Sequence, residues 1–426
     1  MLRKSKCFLT VLLVLMVCFV GTTSAFATNL NGDDAITGTE GNPVQAAITK
    51  NLRLPEATTI PNVQFNFIVT PIMVDDTAFN PDEPNMPVIG TKTTTPGVGT
   101  FTISFSSADA ERKESVEDLV NTMSIQKETP NIFEGVTFDH AGIYVYTITE
   151  EQNTNSAIDD SDNVKEWLSY SPAVYTLTVF VENTEDGKST FIYALGTLIT
   201  TPNPGQPQGD KVDPTPGSDE DDHAFSQMVF INDYVKNHGP IDPKDASVLE
   251  ISKTVTGDFA SRDHYFEFSI ILDIPSIVAN IPEFYRAYIV DVDGTVGNAI
   301  EVSTDAITTF DLKHGQRLVF VDTPIGTGYV VTETGAANYF PSLSVTTNGE
   351  KVEYREREKG EDFPSGPQLV GELVNGNSAD FTNRRDSVTP TGLNLNDLPF
   401  IGLIALCLGA LTIFIVVKVR KRAQNH

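Results

Sequence analysis

The chain has 426 residues, enough for two or three domains, and carries 57 acidic against 29 basic side chains for a net charge of −28. Both termini are basic, so the body between them is more acidic still, which excludes nucleic acid and anionic membrane surfaces as its partners. The cysteines, Cys7, Cys18 and Cys407, all fall in apolar terminal segments, so the body has no disulfide, the usual staple of an exported chain.

Export is read from residues 1–27. Arg3, Lys4 and Lys6 precede an apolar run over residues 8–20, and Ala25-Phe26-Ala27 forms a small-residue cleavage site, the three parts of a secretory signal peptide. Residues 28–43 read as a flexible N-terminus. A first domain is expected over 44–237. Strands are expected over 44–54 and 65–69, and a Pro-, Thr- and Gly-rich loop over 81–99. Val116, Leu119, Val120 and Met123 recur at helical spacing after Ser107 and predict one short helix. Further strands follow over 142–150 and through Tyr175, Leu177, Val179 and Val181, with a hairpin turn at Asp186-Gly187 and a return over 191–195. Residues 202–222, rich in Pro, Gly and acid, read as a long mobile loop. A strand resumes over 225–231, and residues 238–247, with Pro240 and Pro243, read as a junction.

A second unit over 248–386 repeats the order of the first. AAITKNL is answered by LEISKTV, FNFIV by FEFSI, YTITEE by YVVTET and VFIND by DFTNR, a degenerate two-fold repeat. Short alternating runs of Phe and Tyr make both units mainly all-β, as β-sandwiches. Residues 387–426 close the chain. Residues 398–417 are uncharged and long enough to cross a bilayer of about 30 Å. Lys418, Arg420, Lys421 and Arg422 follow in the tail 418–426 and stay in the cytoplasm, so the body lies outside the cell. Six histidines show no zinc spacing, and there is no phosphate loop or serine nucleophile elbow. No cofactor, no metal and no turnover of an external substrate are expected.

Strand alternation sorts the side chains by face. Lys50 is in phase with Ile48 and Leu52, Glu150 with Tyr144, Tyr146 and Ile148, and Asn232 with Met228 and Phe230. In the second unit Lys253, Glu333 and Asn383 stand likewise among Leu249, Ile251, Val255, Tyr329, Val331, Ala379 and Phe381. Each unit thus aims one Lys, one Glu and one Asn at its core, where an unpaired polar group costs several kcal/mol. One reading is a buried ion pair with a hydrogen-bonded Asn, or strand ends that reach water. The other is chemical. Burial favours neutral Lys and protonated Glu, the amine attacks the carboxamide carbon, ammonia leaves and an amide cross-link remains. Recurrence of all three residue types in one order favours the second reading.

The phrase Val388-Thr389-Pro390-Thr391-Gly392, set before an apolar span and a basic tail, resembles the cell-wall sorting signal of Gram-positive surface proteins, with the proline moved to the third place. FEGVTFDHAGIYVYTITEE, ITKNLRL and ADFTNRRD are similar to stretches of the major shaft pilins of streptococcal-type Gram-positive pili. That resemblance runs from about Val44 to Thr391. It implies two tandem immunoglobulin-like sandwiches, each with an intramolecular isopeptide bond: Lys50–Asn232 beside catalytic Glu150, and Lys253–Asn383 beside Glu333. It also implies a sortase that cleaves between Thr391 and Gly392 and joins Thr391 to an acceptor lysine of the next copy, in a head-to-tail covalent polymer. Minor pilins and peptidoglycan are further partners it implies. The membrane would be met only through the span before processing, and the product would be secreted to the cell surface and wall. Tyr234-Val235-Lys236-Asn237 resembles one acceptor motif of the family, which puts Lys236 first among acceptors, and Lys211 second as the only lysine of the Pro-rich insert. A wall-anchored adhesin or minor pilin of the same fold is the alternative function.

Overall fold

The structure is a computed structural model. It describes residues 36–155, 158, 164–217, 227–239, 241–387 and 398–423. Residues 1–27, read above as a signal peptide, and residues 388–392, read as a sorting phrase with Thr391 and Gly392, lie outside the described residues.

Alternating apolar residues give the first domain nine long strands: β1 (Thr49–Pro55), β2 (Val63–Val74), β3 (Gly99–Phe105), β4 (Thr122–Glu128), β5 (Gly142–Glu150), β6 (Val164–Leu168), β7 (Val174–Asn183), β8 (Thr190–Thr201) and β9 (Val229–His238). One sheet runs β8-β7-β5-β2-β3 with short strands at its edges, and the facing sheet runs β6-β9-β1-β4. β1 and β9, the opening and closing strands, lie side by side and parallel. Two strands so far apart in sequence pair because each buries one apolar row (Ile48, Leu52 and Leu54; Met228 and Phe230) against Phe65, Phe67, Tyr146 and Tyr175 of the facing sheet. Each such side chain contributes about 1.5–3 kcal/mol through burial.

The second domain repeats this plan with β10 (Leu249–Thr256), β11 (Phe266–Asp273), β12 (Arg317–Phe320), β13 (Gly328–Glu333), β14 (Phe340–Thr347) and β15 (Ser378–Arg384). β12, β10, β15 and β14 are consecutive in one seven-stranded sheet, and β11 and β13 pair in the five-stranded sheet facing it. β10 and β15 are again parallel neighbours. Among the described residues no strand is shared between the sheets of the two halves, so the molecule is two immunoglobulin-like sandwiches in tandem. The helix α1 (Leu398–Ala423) is long and apolar enough to cross a membrane.

Three expectations about local structure are corrected. Residues 116–123 form no helix. A single 3-10 turn lies upstream at Ser107–Arg112, capped by Ser106 and Asp109. Asp118 and Asn121 have positive φ values of 64° and 48°, which interrupt a helix, and Thr122 already begins β4. The periodic Leu119 packs on the core of the second domain instead. The backbone of Val120 bonds Ser276 in both directions, and Asn121 Nδ2 donates to Asp273 O at 2.9 Å. The apolar period therefore marks an interdomain contact. The start of the chain is also ordered from Ile36, where Ile36–Thr37 pairs with β8. Residues 202–217 of the Pro-rich insert are no free loop: Asn203, Gln206 and Val212 are buried, and Lys211 bridges to Leu198 at the edge of β8.

Candidate functional site

The strand register builds the same cluster twice. In the first domain Lys50 pairs with Phe230 across β1 and β9, and Leu52 with Asn232. In the second Lys253 pairs with Phe381 across β10 and β15, and Val255 with Asn383. The Asn thus stands two residues beyond the position opposite the Lys, on the same inward face. The Glu comes from the facing sheet, where Glu150 pairs with Phe67 and Glu333 with Phe268. All six predicted residues converge, three in each core.

The distances place each Glu between the other two groups. Lys50 Nζ donates to Glu150 Oε2 at 3.0 Å and Asn232 Nδ2 donates to Glu150 Oε1 at 2.6 Å. In the second domain Lys253 Nζ and Asn383 Nδ2 both donate to Glu333 Oε1, each at 2.6 Å. Lys50 and Asn232 have no exposed surface, and Lys253, Glu333 and Asn383 are 1% exposed. Aromatic rings close the sites. Lys50 Nζ lies 4.3 Å from the centre of the Phe65 ring and Lys253 Nζ 4.1 Å from that of Phe266. Phe230 packs on Phe67, and Phe381 on Phe268.

Taking an ammonium and a carboxylate out of water costs several kcal/mol per ion, so burial drives both members of each pair toward neutrality. It lowers both lysines to about 8 against the opposing pull of the nearby Glu. It likewise raises Glu150 and Glu333, with the lysine pulling the other way. An amine that sheds its proton near neutrality, a carboxyl able to hold that proton and a carboxamide on the same carboxyl are the reactants of amide exchange. Among the described residues no group of three or more His, Cys, Asp or Glu could hold a metal ion.

The two acceptor candidates sit differently. Lys211 is exposed on the flank of the first domain. Lys236 lies at the joint between the sandwiches, its side chain 20% exposed and its Nζ 3.6 Å from both Glu166 and Glu372. Glu372 also accepts from the backbone and hydroxyl of Thr59, each at 2.9 Å, so Lys236 belongs to a set of contacts that ties the two domains together. Sequence reasoning missed Ser171 and Asn203, both 1% exposed and in contact with the first cluster or one step from it. Polar residues next to prolines in a loop carry no periodic signal of burial.

Comparison with known proteins agrees with this arrangement. The profile of the Spy0128-like isopeptide containing domain matches residues 46–234, and a domain-of-unknown-function profile, DUF7601, matches 247–385. The chain is 26% identical over 406 residues to a pilin of Streptococcus pyogenes serotype M1, covering 93% of this chain and 96% of that one. It is 33% identical over 149 residues to the pilus tip adhesin Cpa of Streptococcus pyogenes, covering 34% of this chain and 18% of the adhesin. Among solved structures the major pilin from Streptococcus pyogenes matches at 22% identity and a TM-score of 0.30, over 81% of this chain and all of that one. Residues 46–234 thus match the Spy0128-like isopeptide containing domain family, and the chain is similar along nearly its whole length to a streptococcal pilin.

Proposed function

We propose that the chain is the repeating shaft subunit of a covalent pilus on the Gram-positive cell surface, and that each sandwich staples itself once during folding through a Lys–Asn isopeptide bond. The observation that carries this reading is the duplicated cluster, at one register, on the strands that open and close each domain. In each site the lysine passes a proton to Glu, and the neutral amine attacks the Asn carboxamide carbon. Glu gives that proton to the departing nitrogen and takes up the one the new amide nitrogen sheds, so one ammonia leaves per bond. The Phe rings exclude the water that would compete. The reaction runs once per site, so the chain is a self-modifying structural protein and not an enzyme with an external substrate.

The pair is competent while it shares one proton. Acid adds a second and leaves the lysine charged. Above about 8, the value to which burial lowers the lysines, the last proton leaves and nothing protonates the departing nitrogen. Ammonia loss followed by mass spectrometry during refolding is therefore expected to slow on both sides of a plateau. A rate that keeps climbing beyond pH 9 would remove the proton shuttle.

A sortase is proposed to cut after Thr391 and to join it to the next copy, with the wall as the final anchor. Of the two lysines, Lys211 fits an enzyme arriving from solvent, because it is exposed and free of the carboxylates that hold Lys236. With the chain expressed beside its sortase on Gram-positive cells, a detergent-resistant ladder of polymers is expected. Thr391→Ala and Lys211→Ala should each collapse it to monomer, while Lys236→Ala keeps it. A wild-type chain that reaches the wall only as monomer would favour the adhesin or minor-pilin reading. The likeness to the tip adhesin covers a third of the chain, and the likeness to the pilin nearly all of it.

A further inference from the structure

The two clusters differ at the carboxylate, where Glu333 Oε2 is left without a partner among the described residues, and at the carboxamide oxygen. In the first, the Ser171 backbone N–H donates to Asn232 Oδ1 at 2.7 Å, with a weaker branch to Glu150 Oε2 at 3.3 Å. In the second, Asn383 Oδ1 is buried and has no hydrogen-bond donor among the described residues. Oδ1 is where negative charge develops when an amine adds to the carboxamide carbon, and a fixed N–H at that oxygen stabilises the addition step more than the reactant.

The Ser171 N–H is held by the turn that opens the Pro-rich insert. Ser171 Oγ donates to Asn203 Oδ1 at 2.6 Å and accepts from the Ala173 N–H at 3.2 Å. Asn203 Nδ2 donates to Val229 O at 2.7 Å and Gln206 Oε1 at 3.0 Å, and the Ile231 N–H donates back to Asn203 Oδ1 at 3.3 Å. Asn203 thereby ties Ser171 to β9, the strand that carries Asn232. Gln206 extends the network to Tyr175, whose hydroxyl also donates to Val229 O. An Asn and a Gln both nearly fully buried within an otherwise exposed polar turn are costly to place there unless every group is paired. Their pairing fixes one backbone N–H.

We propose that the Ser171 N–H is the oxyanion donor of the first cross-linking site, that Asn203 is the residue that positions it, and that the second site works without such a donor. This rests on the isopeptide reading above. It makes the first bond form faster than the second, and it gives the insert's first turn a task apart from any role of Lys211.

The test uses residues 28–391 recovered unfolded from inclusion bodies and refolded by dilution. Samples are quenched in acid, and ammonia loss is assigned to each site by peptide mapping. Folding is followed separately through Trp167, the chain's one tryptophan, which packs against the second-domain core. The wild type is expected to close the first site before the second. Ser171→Pro removes the N–H and should slow the first site on the order of a hundredfold, the scale for loss of one oxyanion donor, with the second site unchanged. Asn203→Ala and Ser171→Ala keep the N–H but free it, and should slow the first site about tenfold while the Trp167 folding rate stays the same. Asn203→Asp, which retains the acceptor for Ser171 Oγ, should recover part of that loss. If Ser171→Pro fails to fold by the Trp167 signal, the Asn203→Ala and Ser171→Ala rates decide. A first site that closes at the wild-type rate in variants that fold normally overturns the proposal. No ammonia loss at either site of the wild type overturns the isopeptide reading itself, a different result from the same measurement.

Discussion

Residues 28–391 carrying Glu150→Ala are expected to be one ammonia mass heavier than the wild type before the change in side-chain mass is counted. Glu333→Ala should do the same, and the double variant should retain both ammonia masses. The size of the effect follows from what Glu does in the cluster. It is the hydrogen-bond partner of both reacting groups, Lys50 Nζ at 3.0 Å and Asn232 Nδ2 at 2.6 Å, so its loss removes the proton acceptor for the amine and the proton donor for the departing nitrogen together. General acid–base groups contribute about 10²–10⁴-fold each way they act, enough to leave a reaction that normally finishes during folding incomplete over days. Glu150→Gln keeps the shape and the hydrogen-bonding span but not the proton, and should match the Ala variant in mass. A double variant that has shed two ammonia molecules would show that the lysines and asparagines react without either carboxyl, or that they were never the reacting groups.

The parts of this site that alternate along strands were legible in the sequence. Lys50, Glu150 and Asn232 could be placed on one face because their neighbours Ile48, Ile148 and Phe230 are apolar two residues away, and the repeat supplied the second set at Lys253, Glu333 and Asn383. Strand alternation has a period of two, so a polar residue in phase with apolar neighbours is visible without coordinates. What was not legible depends on contacts remote in sequence. Leu119 imitates a helical face because it answers to a neighbouring domain, and the left-handed Asp118 and Asn121 that break the helix are ordinary turn-tolerant residues in a list of letters. Composition made the insert look mobile, since Pro and Gly stand beside Asn203 and Gln206. Their burial exists only because Val229 and Ser171 offer partners. Lys236 matched a motif by its neighbours in sequence, while its position was decided by Glu372, more than a hundred residues away.

Asn232→Ala and Asn383→Ala should each cost a large share of their domain's stability while leaving its fold intact. In the loop-entropy description of cross-links, a tie that closes loops of roughly 180 and roughly 130 residues stabilises by about 5 kcal/mol each. For domains of this size that corresponds to a fall of about 10–20 °C in Tm, readable by calorimetry of the separate transitions. Each substitution also leaves a lysine and a glutamate buried without their third partner, which deepens the loss. The mechanical consequence is sharper. Under the proposed linkage through Thr391, force on a shaft subunit enters the second domain at its opening strand and leaves beyond its closing strand. β10 and β15 are parallel neighbours, so a covalent tie from Lys253 to Asn383 carries the load across the domain and leaves the residues between them out of the path. A wild-type chain pulled from its two ends should show no length gain from that domain below the force that breaks a covalent bond. The Asn383→Ala chain should instead unfold it, releasing roughly 130 residues at about 3.3–3.6 Å each. Equal extensions for the two chains would mean that the cluster does not carry the load, whatever its chemistry. Force applied at the two chain ends loads this parallel pair in shear, and a covalent tie between first and last strands stops them from sliding apart once their hydrogen bonds yield.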